Sequence, residues 1–179
     1  MKIASIAAIA ISFALSVPCR ASSLPPTDSA LLPMSAVLDL AAVRTFFPGV
    51  TRLAQTGADT TAQGNPASTR SVFYENGNGS KRVTITVDRY DNAAGAASAY
   101  AMALKKSEAV AGFKSLKVPN LGGRTFAGTV SMKGEMHAGL GVLRGNDVVG
   151  TTLAGFDAAP ATVTSLVSMS RAELALLEP

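Results

Sequence analysis

The chain has 179 residues, 47% of them hydrophobic and 16% charged, with a formal net charge of +4. A single histidine and a single cysteine exclude a metal centre built from imidazoles and thiolates, and so few charges exclude the dense Lys/Arg footprint of a nucleic-acid binder. Lys2 and Arg20 supply two of the positive charges within the first 21 residues, so the other 158 residues carry only +2. That length is one domain with room for an ordinary core.

The first 21 residues read as a secretory signal. Lys2 gives a positive start, Ile3 to Val17 is an uncharged apolar run, and Cys19-Arg20-Ala21 places small residues at both positions that signal peptidase reads. Cleavage is expected between Ala21 and Ser22, which places the chain in the periplasm or outside the cell. The apolar run is short for a membrane span. Lipid anchoring at Cys19 is disfavoured, because Pro18 stands where that pathway wants a small residue. Once the signal is removed, no thiol remains for a disulfide, a metal or a nucleophile.

Ser22 to Pro33 reads as a linker, and residues 34–179 as a single domain. Ser35 is expected to cap a helix to about Phe47, with Val37, Leu40, Ala41, Val43 and Phe47 recurring at helical spacing. Val50 to about Ala58 suits a short strand, and Asp59 to Ser68 is polar and loop-like. Thr69–Glu75 and Lys81–Tyr90 flank Asn76-Gly77-Asn78-Gly79, a hairpin signal. Within the second strand Val83, Ile85 and Val87 alternate with Thr84, Thr86 and Asp88, so one face is buried and the other wet. Asp91 is expected to cap a second helix to about Glu108, with Ala93, Ala97, Tyr100, Ala101 and Leu104 facing inward. Lys105, Lys106, Lys114, Lys117 and Arg124 gather around its end as a solvated basic run that suits the helix dipole.

Arg124–Met132, Glu135–Leu143 and Asp147–Ala154 form three further strands joined by tight turns. Asp157 and Pro160 then open a last helix to about Leu177, with Val163, Leu166, Val167, Ser170 and Leu174 toward the sheet. The expected fold is α+β: a mostly antiparallel sheet of about six strands with three helices, in the order α-βββ-α-βββ-α, the helices on one face. A 66-residue offset superposes Tyr90-Asp91 on Phe156-Asp157 and Gly79 on Gly145. This pattern fits either an old duplication or the recurrence of turn and cap chemistry.

Candidate chemistry is sparse. No nucleophile elbow, dinucleotide fingerprint or phosphate loop occurs, so no cofactor and no metal is expected. Gly139, Gly141 and Gly150 lie inside strands, where a missing side chain marks curvature under a covering helix or close approach of a ligand. The ligand reading is a shallow groove formed by Tyr74, Phe126, His137, Gly139, Gly141 and Leu143. It makes the chain a non-enzymatic binding or accessory protein whose partner is a small apolar ligand, an envelope component or another protein. The rival is a small exported hydrolase or isomerase using His137 with Glu135 or Asp147.

An Ala-rich helix with Ala96, Ala97, Ala99 and Tyr100, followed by a closing hairpin reading Leu-Arg-Gly-Asn-Asp-Val-Val from Leu143, resembles small exported bacterial sensor and lipoprotein domains. The broader likeness is to the photosystem P-subunit and Mog1 fold. The chain departs from that pattern in having no tryptophan. The resemblance implies an exported α+β domain and assigns no functional residue.

Overall fold

The computed structural model describes residues 32–60, 66–132, 134–157 and 159–177. The expected signal peptide and most of the linker lie outside the described residues. A 3-10 turn at Met34–Ala36 leads to α1 (Leu40–Phe46). Then come β1 (Arg52–Thr60), β2 (Ser68–Glu75), β3 (Arg82–Arg89) and α2 (Ala93–Glu108). After these follow β4 (Lys114–Ser115), β5 (Arg124–Met132), β6 (Glu135–Arg144), β7 (Asp147–Ala154) and α3 (Pro160–Ala175). The strands form one seven-stranded sheet in the order β1-β2-β3-β7-β6-β5-β4, and every pairing is antiparallel. The fold is therefore α+β, with seven strands rather than six. The added strand is β4, two residues that pair with Thr129 and Gly128 of β5.

Alternation along the strands sorts side chains onto two faces. On the first face Val83, Ile85 and Val87 of β3, Leu140 and Val142 of β6, and Val149 of β7 are fully buried. They pack with Val43 and Phe47 around α1 and with Leu166, Met169 and Leu174 of α3 in one cluster. Each such aliphatic side chain contributes about 1.5–3 kcal/mol by leaving water. The second face carries α2, whose Ala96, Ala99 and Tyr100 pack on Tyr90, Leu143 and Val148. The helices therefore cover both faces of the sheet, not one. This also limits the internal repeat. Each half supplies a three-stranded meander, but a two-fold axis normal to the sheet would bring α2 and α3 to the same face.

Helix starts differ from expectation by a residue or more. Asp39, not Ser35, caps α1 by accepting from the Ala42 N–H at 2.8 Å. Asn92, not Asp91, caps α2 by accepting from the Gly95 N–H at 2.9 Å. The N-cap position of α3 is Ala159, which has no side chain to offer. Asp157 instead accepts from the Thr162 hydroxyl at 2.6 Å and the Ala159 N–H at 3.4 Å. No helix among the described residues is long and apolar enough to cross a membrane.

The segment from Leu32 to Leu38 straps across the first face without joining the sheet. Buried backbone groups need partners, and here side chains provide them. The Leu32 N–H donates to Ser68 Oγ at 2.9 Å, and the Arg70 guanidinium donates back to the Leu32 carbonyl, with Nε at 2.9 Å. At the other end the Leu38 N–H donates to Glu173 Oε2 at 2.9 Å, and the Tyr74 hydroxyl donates to the Leu38 carbonyl. Leu32 is 2% exposed, so the strap belongs to the domain rather than to the linker.

Candidate ligand recess

Three cross-strand rows define the second face beside α2. Phe126 of β5, Gly141 of β6 and Gly150 of β7 make one row, and Gly128, Gly139 and Thr152 make the next. Val130, His137 and Ala154 make the third. Two glycines stand in each of the first two rows, so rings can lie flat on the sheet there.

Two rings do so. The Phe126 ring lies over Gly141, where a Cβ would stand only 2.5 Å from Cε1. Its other side meets Tyr100 edge to face, with centroids 5.3 Å apart and planes at 73°, a favoured aromatic geometry. The Phe113 ring covers Gly128 just as closely, so a Cβ there would overlap it. Phe113 reaches that place because Gly112, at φ 80°, turns the chain sharply after α2. Gly139 is different. A Cβ added to it would meet only Thr152 Cγ2 at 3.7 Å and the Thr151 carbonyl at 3.9 Å, which is ordinary contact.

Between the rings lies a shallow apolar recess lined by Ser107, Phe113, Phe126, Val130, Gly139 and Thr152. The Ser107 hydroxyl is already committed to the Ala103 carbonyl at 2.9 Å. Such a lining offers apolar contact and little polar discrimination.

The predicted groove residues part company here. Phe126 and Gly139 line the recess. Gly141 lies beneath the Phe126 ring, Leu143 is buried under α2, and His137 is half-buried in the row next to the recess. Tyr74 is not with them. It points to the first face, is 1% exposed, and binds the strap. Burial, then Glu173 and Asp39, pushes its hydroxyl up to about 12. Ser107, Phe113, Gly128, Val130 and Thr152 were not anticipated. Gly112-Phe113 after a helix end and the strand glycine Gly128 were the available signals.

The His137 imidazole has no hydrogen bond or ion pair among the described residues. Asp147 stands at the far end of β7, paired with Arg144, and binds the Arg89 guanidinium at 2.8 and 3.0 Å. Glu135 is exposed at the start of β6. Neither is hydrogen-bonded to the imidazole. Among the described residues no three His, Cys, Asp or Glu side chains gather as a metal site.

Two carboxyl groups are displaced toward neutrality elsewhere. Burial pushes Asp88 up to about 6, opposed by the Thr69 hydroxyl that donates to it at 2.7 Å. Burial pushes Glu173 up to about 7, opposed by the Leu38 N–H, and its Oε1 has no partner. Asp88 lies on the second face, on a strand that does not line the recess, and Glu173 lies on the first.

No known protein family matches the chain, and no curated protein sequence does. Its fold is similar to the extracellular domain of PknH from Mycobacterium tuberculosis. The two superpose with a TM-score of 0.59 at 12% identity, covering 79% of this chain and 94% of that one. At that identity the likeness is one of fold.

Proposed function

We propose that this chain is an exported, non-enzymatic binding module that takes an apolar group in the recess over Gly139. The observation that carries the reading is the contrast among three neighbouring glycines. Gly128 and Gly141 are each covered by a ring of the protein itself, whereas a Cβ at Gly139 would meet only ordinary contacts with Thr152 Cγ2 and the Thr151 carbonyl. The secretory character of the first 21 residues supports export, as does the extracellular origin of the similar domain. The hydrolase or isomerase reading has weaker support, because His137 lacks a carboxylate partner to orient it as a base.

Amide chemical-shift titration with indole and with octanoate tests the binding reading. Saturable shifts at Gly128, Gly139 and Thr152 are expected, and Gly139→Leu should abolish them. Absence of shifts at those amides, or their survival in Gly139→Leu, overturns it. Intact mass of the exported protein should read a chain beginning at Ser22.

A further inference from the structure

Two adjacent cross-strand rows meet at the recess. Ala154 pairs with Arg82 on one side and His137 on the other, and in the next row Thr152 pairs with Thr84 and Gly139. The pleat turns all six toward the second face, where each is half-buried. Thr152 presents its methyl to the recess, with Cγ2 3.7 Å from the place a Cβ on Gly139 would take, so its hydroxyl lies away from that contact. Among the described residues neither that hydroxyl, the Thr84 hydroxyl nor the His137 imidazole has a hydrogen-bond partner. Arg82 faces Glu75, which it shares with Arg52. Arg52 binds Glu75 Oε1, whereas Arg82 Nη2 stands 3.6 Å from Oε2, beyond hydrogen-bond distance. One carboxylate between two guanidiniums leaves a positive charge over, and the loosely held Arg82 is the one next to Ala154. Glu135 shares the face of His137, but it is exposed and stands a row farther from the recess.

We propose that the place over Ala154 is the head-group site of an amphiphile, a carboxylate held between Arg82 and His137 with its alkyl chain in the recess over Gly139. This deepens, and rests on, the reading of that recess as a binding site. Neighbouring strands lie about 4.8 Å apart, so Arg82 and His137 rise about 10 Å from each other with only a methyl group between them. A carboxylate fits there, taking the guanidinium fork on one side and an imidazole N–H on the other. The imidazole supplies one such donor even when neutral. The surplus positive charge selects an anionic head over a neutral or cationic one. The two rows are about 7 Å apart along the strands, a span that a short alkyl chain covers. Thr152 marks the boundary between them, with its methyl toward the chain and its hydroxyl left for the head.

Chemical-shift titrations with octanoate and with 1-octanol provide the test, because the two differ in the head alone. Octanoate should bind at least about tenfold more tightly, as charge-assisted hydrogen bonds to the head require. Unlike octanol, it should also shift the Ala154 amide and the His137 ring signals. Arg82→Gln should bring octanoate to within about twofold of octanol, and His137→Ala should lower the preference in the same direction. Equal affinity for the two in the unaltered chain, or a preference that survives Arg82→Gln, overturns the head-group site and leaves the recess standing. Failure of both to shift Gly139 overturns the recess reading, and this site with it.

Discussion

The two faces of the sheet use the same strands to opposite ends. Toward α1 and α3, alternate positions carry Val83, Ile85, Leu140 and Val149, all fully buried and interlocked. Toward α2, the positions between them carry Gly139, Gly141, Gly150 and Thr152, and rings rather than aliphatic branches cover the floor. One face is closed by volume. The other is kept thin, and where its own rings stop short an apolar recess remains. Aliphatic packing and ring-over-glycine packing are thus separated by a single residue step along each strand.

The strongest way to break this contrast is to hollow out the thick face. Leu140→Ala should cost about 2–5 kcal/mol in denaturant unfolding, because a fully buried side chain leaves a cavity between sheet and α3. A loss under about 1 kcal/mol would mean that the first face is not the stabilising one.

Acid groups sharpen the contrast next. Glu173 has an ordinary value of 4.5 and is held near 7 in the folded chain. Between those values the folded state keeps a proton that the unfolded state has released, so stability falls as pH rises and levels off above about 7. The total change is about 3 kcal/mol. Glu173→Gln should flatten that window while still accepting from the Leu38 N–H. Asp88 on the thin face should act over the lower range, from 3.8 to about 6, and Asp88→Asn should flatten only that part. Melts from about pH 4 to about pH 8 for both variants check the assignment.

On the thin face, Gly141→Val should cost about 1–3 kcal/mol, since the new branch displaces the Phe126 ring from its place against Tyr100. The smallest effect belongs to Gly139→Ala, expected to shift stability by no more than about 0.5 kcal/mol. If Gly139→Ala proves as costly as Gly141→Val, the recess is not open.

Much of this architecture was legible in the residues. The hairpin turn at Asn76 to Gly79, the alternation of Val83, Ile85 and Val87, and the joins at Gly134 and Gly145 all report strands through local chemistry. β4 was not legible, because Lys114 and Ser115 are strand only by virtue of β5 beside them. The inward face of α2 was misread by a residue. Tyr100 is buried as expected, but the alanines beside it that are buried are Ala96, Ala99 and Ala103, and a helix with alanine on every side offers no stripe to measure. Asp91 and Asn92 are both good caps standing side by side, and only geometry chooses between them. Grouping Tyr74 with Phe126 failed for a related reason. Alternation tells which residues within one strand share a face, but aligning faces across strands needs the register. Glu173 was passed over because an acid is rarely placed in a core.

The strap has a consequence for the order in which the chain can mature. Leu38 and its acceptor Glu173 are 135 positions apart. During synthesis from the N-terminus, Leu38 emerges early and waits for nearly the whole chain before its partner exists. Contacts that close such long loops form late and slowly. The first segment of the domain to leave the ribosome is therefore among the last to be fastened, and a truncation that removes α3 unfastens the beginning of the domain as well as its end.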